Sequence, residues 1–102
     1  MTRTPSTRRL APEASAAAFK ALADPTRVRL VQFLQASDGE VTGTELAEHA
    51  GISLALLCHH GSVLVEGGLV TKRKVGQTSY WLLERGALDA AMRSVGLPPA
   101  LA

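Results

Sequence analysis

The sequence predicts a mainly α-helical domain with a small β-hairpin: a winged helix-turn-helix of about five helices and a two-stranded wing. Three observations predict it. Between Ser53 and Leu83 a helical pattern gives way at Gly67-Gly68 to two short runs rich in β-branched and aromatic residues, joined near Gly76. Just upstream, a short helical segment and Gly51 make the order helix, glycine turn, helix, in which the second helix is the reader. Three consecutive cations, Lys72, Arg73 and Lys74, lie on the hairpin. A helix followed by a basic hairpin can enter the major groove of double-stranded DNA while the hairpin lies along the backbone.

Composition sets the outer bounds. A chain of 102 residues makes one small domain, and 46% apolar with 20% charged residues makes it globular. A monomer of this size buries only about two-thirds of its unfolded surface, so dimerisation would help it. A formal net charge of +2 and a pI near 9.1 permit nucleic-acid binding without requiring it. A single cysteine excludes an internal disulfide or a Cys-rich zinc site within one chain, and fits a reducing compartment. No apolar run approaches the ~20 residues of a membrane span. The first dozen residues hold three arginines and no apolar core, so they do not form a secretory signal. The expected location is cytoplasmic, with no membrane partner.

The elements follow in order. Residues 1–12, with Arg3, Arg8 and Arg9, read as a flexible basic tail or as an arm adding phosphate contacts. Residues 13–96 read as the winged helix-turn-helix domain and 97–102 as a C-terminal tail. Residues 13–23 are alanine-rich and predict a first helix, with Ala18, Phe19, Leu22 and Ala23 on its apolar face. Asp24 can cap a second helix and Pro25 suits its first turn. That helix runs to about Ala36 with Val28, Leu30, Val31, Phe33 and Leu34 as its core stripe, leaving Arg27 and Arg29 on a solvated face. Ser37-Asp38-Gly39 is a turn, and Glu40-Val41-Thr42 a short strand at most. Thr42 and Glu45 have capping-box spacing ahead of a third helix to Ala50, with Leu46 and Ala47 inward. Ser53 caps the fourth helix, which Gly67-Gly68 end. Leu69–Thr71 and Thr78–Leu83 are the predicted strands of a wing over 69–83. Glu84 to Val95 is a fifth helix, lined by Leu88, Ala91, Met92 and Val95 and stopped by Gly96 and Pro98-Pro99.

Helical spacing in the fourth helix separates Leu57, His60, Gly61 and Leu64 from Ala55, Cys58, His59 and Ser62, and the second set would face a groove. With Thr44, Ser53 and Leu54 they form the expected base-side contacts. Few of them are bidentate donors, so base readout is sparse: Leu54 or Ala55 could touch a thymine methyl, and His59 could bond a purine N7. Lys72, Arg73, Lys74, Gln77 and Thr78 would meet phosphates or the minor groove. Loss of Arg73 would then lower the salt slope by about one. Gly61 costs its helix ~1 kcal/mol relative to alanine, and either admits the third helix closely or marks a weakened reader.

His49, Cys58, His59 and His60 are the candidate metal ligands, since sulfur and imidazole suit zinc, copper(I) or nickel. Adjacent His59 and His60 point about 100° apart on a helix, so one ion would need His49 or a second subunit. The plainer expectation packs His60 beneath the helix and leaves Cys58 a small side chain, or at most an oxidisable thiol. No cofactor is assigned, while a transition-metal effector at an unusual site stays open. With no Ser/His/Asp set, phosphate-cradling loop or paired carboxylates on one element, an enzyme is not expected.

The run Phe19-Lys-Ala-Leu-Ala-Asp-Pro-Thr-Arg-Val-Arg-Leu30, with Glu45-Leu-Ala-Glu48, Gly51-Ile-Ser53, Cys58-His-His60, Val63-Leu64, Glu66-Gly-Gly-Leu-Val70 and Tyr80-Trp81, resembles the ArsR/SmtB family of bacterial winged-helix repressors. The resemblance spans roughly residues 16–83. It implies a homodimer whose seam is formed by the first and last helices, and binding to an inverted repeat in a promoter, altered by a small effector. The sensor sites known in the family are mostly absent. Glu45-Leu46-Ala47-Glu48 holds no sulfur, the last helix offers Asp89 but no histidine, and a two-thiol switch lacks its second cysteine. The alternative reading is a protein-interaction module that docks a partner on Leu54-Ala55-Leu56 and has little DNA affinity.

Overall fold

The computed structural model describes residues 10–96. Its elements are α1 (Pro12–Ala21), α2 (Pro25–Ala36), β1 (Val41–Thr42), α3 (Gly43–Ala50), α4 (Leu54–Glu66), β2 (Val70–Val75), β3 (Thr78–Leu83) and α5 (Arg85–Ser94). Short polar side chains start the middle helices. Asp24 accepts the backbone N–H groups of Thr26 and Arg27 at 2.8 and 3.1 Å, and Ser53 accepts that of Leu56 at 3.0 Å. Thr42 and Glu45 close the capping box, with Thr42 Oγ1 accepting from Glu45 N at 3.2 Å and Glu45 Oε1 from Thr42 N at 3.3 Å. Thr42→Ala should therefore lower stability by about 1 kcal/mol. Urea denaturation followed by circular dichroism checks this, and an unchanged midpoint would remove the cap from the account.

Gly51, at φ +69°, turns the chain between α3 and α4 where other residues would be strained. At the far end of α4, Gly68 takes the left-handed conformation at φ +76°. Gly67 stays right-handed and serves differently: a Cβ there would sit 2.8 Å from Ala21 Cβ and 2.9 Å from Ala17 O. Gly67 thus lets α4 end against α1.

The sheet order is β1-β3-β2, antiparallel throughout. Val41 pairs with Trp81 and Thr42 with Tyr80, so the expected two-stranded wing is a three-stranded sheet whose third strand is the two-residue β1. The core joins Leu30 and Leu34 of α2, Leu46 and Ala47 of α3, Leu57 and Leu64 of α4, and Leu69, Val70 and Trp81 of the sheet side. Ala18 and Ala21 of α1 and Ala91 of α5 extend the core to where α1 packs on α5. There Ser94 Oγ donates to Ala91 O at 2.7 Å, so the buried Ser15 hydroxyl donates to Ser94 Oγ at 2.5 Å.

Several expectations shift. Leu10 packs against the core and Pro12 opens α1; residues 1–9 and 97–102, most of the two expected tails, lie outside the described residues. The first helix ends at Ala21, where Leu22 and Ala23 turn the chain toward Asp24. Of the α2 stripe only Leu30 and Leu34 are fully buried, while Phe33 stacks on His49 with ring centroids 4.0 Å apart. β2 runs to Val75 and takes all three cations into the strand, because its pairing with β3 continues to the Gly76-Gln77 turn. Gly76, at φ +61°, occupies the first turn position, where a two-residue hairpin requires a positive φ. Val95, expected on the buried face of α5, is 55% exposed just past the helix end. Among the described residues, no helix is long and apolar enough to cross a membrane.

Candidate nucleic-acid interface

The α4 helix has two sides, as its spacing predicts. Leu57, Gly61 and Leu64 are buried and His60 is mostly so. Ala55, Cys58, His59 and Ser62 are exposed, as are Leu54, Leu56 and Ser53 in the first turn. The Ser62 hydroxyl donates to His59 O at 2.9 Å and the Ser53 hydroxyl oxygen is occupied by its cap. Thr44 is exposed at the start of α3.

Gly61 lets α4 sit on the sheet. A Cβ at this position would overlap Cη2 and Cζ3 of Trp81. The close neighbour is therefore the indole of β3, and neither α3 nor a weakened reader explains the glycine. Trp81 Nε1 donates to Ser79 Oγ at 3.0 Å, which satisfies its one polar atom.

Arg27 departs most from expectation. It is half-buried and off the solvated face. Its Nε donates to Ala21 O at 2.7 Å and its Nη1 contacts His60 Nδ1 at 3.1 Å. A guanidinium has no acceptor, so Arg27 donates and Nδ1 accepts. Asp24 Oδ2 lies 3.9 Å from the same Nδ1. Arg27 thus links the end of α1 to the inner side of α4, and His60 is held there as a packing residue.

The three cations do not act as one block. Lys72 pairs with Trp81, Arg73 with Tyr80 and Lys74 with Ser79, so strand alternation puts Lys72 and Lys74 on the sheet side that faces α3 and α4. The Lys72 ammonium stands 5.1 Å from the Trp81 ring centroid. Arg73 lies on the opposite side, 4.6 Å over the Tyr80 ring, with Nε and Nη2 donating to the two carboxylate oxygens of Glu40 at 2.7 and 2.8 Å. Glu40 is the residue the sequence reading missed; only its charge, thirty-three positions from Arg73, hinted at the pair. Gln77 and Thr78 are exposed at the wing tip.

The metal candidates stay apart. His49 is stacked on Phe33, His60 is held by Arg27, and Cys58 is a free exposed thiol. Only His59 and His60 are ring neighbours, edge to face at 5.3 Å. Among the described residues, no three His, Cys, Asp or Glu side chains gather as a metal-holding group.

Two carboxylates sit below their ordinary values. The Arg73 hydrogen bond, then its charge, holds Glu40 below 4.5. The Arg27 backbone N–H chiefly, then that of Thr26 and the charge of Arg27, hold Asp24 below 3.8. Depressed folded-state values favour the native state above the unfolded values, and that contribution is lost as pH falls through the lower folded ones. The thermal midpoint should accordingly fall on acidification below about pH 4.5. Asp24→Asn and Glu40→Gln should flatten that fall, as thermal scans from pH 7 to 3 would detect.

A helix-turn-helix with the outer side of its second helix free, beside a ribbon carrying three cations, defines a winged helix-turn-helix domain. A helix-turn-helix domain model matches residues 22–73. The probable mercury resistance operon repressor of Streptomyces lividans is 47% identical over 66 residues, covering 65% of this chain and 51% of that protein, so the chain spans about half of that relative's length. The crystal structure of an ArsR family transcriptional regulator superposes with a TM-score of 0.74 at 28% identity, covering 85% of this chain and 88% of the other. A homodimeric winged helix-turn-helix DNA-binding domain from Mycobacterium bovis, solved in solution, gives 0.66 at 28% identity over 81% and 77%. The chain belongs to the ArsR family of winged helix-turn-helix transcriptional regulators.

Proposed function

We propose that this chain is a homodimeric DNA-binding regulator, a repressor, that places residues 53–67 in the major groove and the basic wing 69–83 on the backbone. One observation carries the reading: α4 is packed on its Leu57, Gly61, Leu64 side and bare on its Ala55, Cys58, His59, Ser62 side, while Lys72 and Lys74 lie on the sheet face that packs against α3 and α4. Thr44, Ser53 and Leu54 flank the base contacts, while Lys72, Arg73, Lys74, Gln77 and Thr78 supply phosphate or minor-groove contacts. The dimer is supported by a cleft between α1 and the end of α5, lined by Leu10, Pro12, Ala16, Phe19 and Val95. Phe19 and Val95 are 36% and 55% exposed there, and a second copy would cover them. A two-fold dimer calls for an inverted-repeat operator. The proposal assigns no metal site to one chain.

The test is fluorescence anisotropy with a duplex from the region upstream of the gene, at two salt concentrations, with and without excess random duplex. Tight binding that survives the competitor and weakens steeply with salt supports the regulator. Binding no tighter than ~10⁻⁴ to 10⁻⁶ M, and equal on random DNA, overturns it. The second reading, a protein-docking module, is favoured by the bare Leu54 and Leu56, which are 54% and 43% exposed.

Arg73 can reach a phosphate only by leaving Glu40. Arg73→Ala should therefore lower the salt slope by less than the one unit expected of an unpaired cation, and Glu40→Gln should raise affinity for every duplex. Equal affinity in Glu40→Gln and native protein would show that the pair does not compete with DNA.

A further inference from the structure

We infer that α4 reads its operator through thymine methyl groups, so that each half-site is a short thymine-rich stretch recognised by apolar contact more than by hydrogen bonds. This rests on the DNA-binding reading above and names the bases that such a surface selects.

Major-groove specificity usually comes from Arg or Lys on guanine and Asn or Gln on adenine. Between Leu54 and Glu66 there is no Arg, Lys, Asn or Gln. The hydrogen-bonding groups that remain are mostly engaged: His60 receives Arg27 on the inner side, the Ser62 hydroxyl proton goes to His59 O, and Ser53 caps Leu56. His59 and the Cys58 thiol are what is left for a base edge. The rest of the free surface is hydrocarbon, with Leu54, Ala55 and Leu56 all exposed in the first turn, the end of a reading helix that penetrates deepest. The one apolar group in the major groove is the thymine C5 methyl. The wing selects DNA over a protein occupant, because Lys72 and Lys74 lie on the sheet side that packs against α3 and α4 and complement a phosphate backbone. At about 1.5 Å per residue, the stretch from Leu54 to Ser62 spans about 12 Å, or three to four base pairs. Glu66, exposed at the far end of α4, would meet phosphate unfavourably and marks the limit of the contact.

The experiment separates this inference from the reading beneath it. Full-length protein selects binding sites from a pool of duplexes with a random centre. The enriched duplex is then resynthesised with deoxyuridine in place of each thymine in turn, which removes the methyl and leaves base pairing intact. Each methyl within the three-to-four-pair window should be worth about fourfold in affinity, the value of one buried carbon, with the salt slope unchanged. In a Leu54→Ala, Ala55→Ser variant the thymine-to-uracil ratio should fall towards one, whereas Lys74→Ala should weaken both duplexes and preserve the ratio. Selective binding with equal affinity for thymine and uracil duplexes overturns the methyl readout and leaves the regulator standing. A ratio unchanged in the Leu54, Ala55 variant also overturns it. No selective binding of any duplex overturns both.

Discussion

Trp81→Ala is expected to cost about 3–5 kcal/mol of stability, the range for removing a buried large aromatic. Domains of this kind have only about 5–15 kcal/mol in total. The indole is 2% exposed and fills the space between α3, α4 and the sheet, where Gly43 and Gly61 have no side chain to offer in its place. Urea denaturation followed by far-ultraviolet circular dichroism measures it; fluorescence cannot, since this is the chain's single tryptophan. The reciprocal change sharpens the test. Gly61→Ala gains helix propensity worth about 1 kcal/mol, but overlap with the ring should cost about 1–3 kcal/mol. Net destabilisation is expected, together with weaker DNA binding as α4 is pushed off the sheet. A stabilised Gly61→Ala protein would mean that the ring yields readily and that the α4–sheet contact is loose.

The second large effect concerns binding. Lys72→Ala with Lys74→Ala should lower the salt slope by about two and weaken all duplexes alike, roughly a hundredfold near 0.1 M salt. Both lysines face the helix-turn-helix side, and among the described residues neither has a carboxylate within ion-pair distance. Arg73 is their neighbour in sequence but not in role, because Glu40 offsets its charge on the other face of the ribbon. If the double variant kept the native slope while Arg73→Ala lowered it, the wing would dock by its outer face and the assignment of sides would be reversed.

These contrasts mark where sequence reading succeeds. The α2, α3 and α4 starts were legible at Asp24, Thr42 and Ser53, and the turn at Gly51, because a cap or a left-handed glycine acts within three or four residues. The two sides of α4 were legible because helical periodicity needs only the order of the residues. The wing cations were legible as a run, yet their division between two faces needed the extent of β2, which its pairing with β3 sets.

The sequence by itself determined the winged helix-turn-helix, its element order and which side of α4 is free. The tertiary structure alone decided that β1 joins the wing, that Arg27 fastens α4 to the end of α1, that Glu40 holds Arg73, and that Gly61 exists for Trp81. The physical reason is range. Capping and periodicity are local and are written in consecutive residues, whereas each of these contacts joins positions far apart in the chain, where partner choice depends on how packed elements bring side chains together.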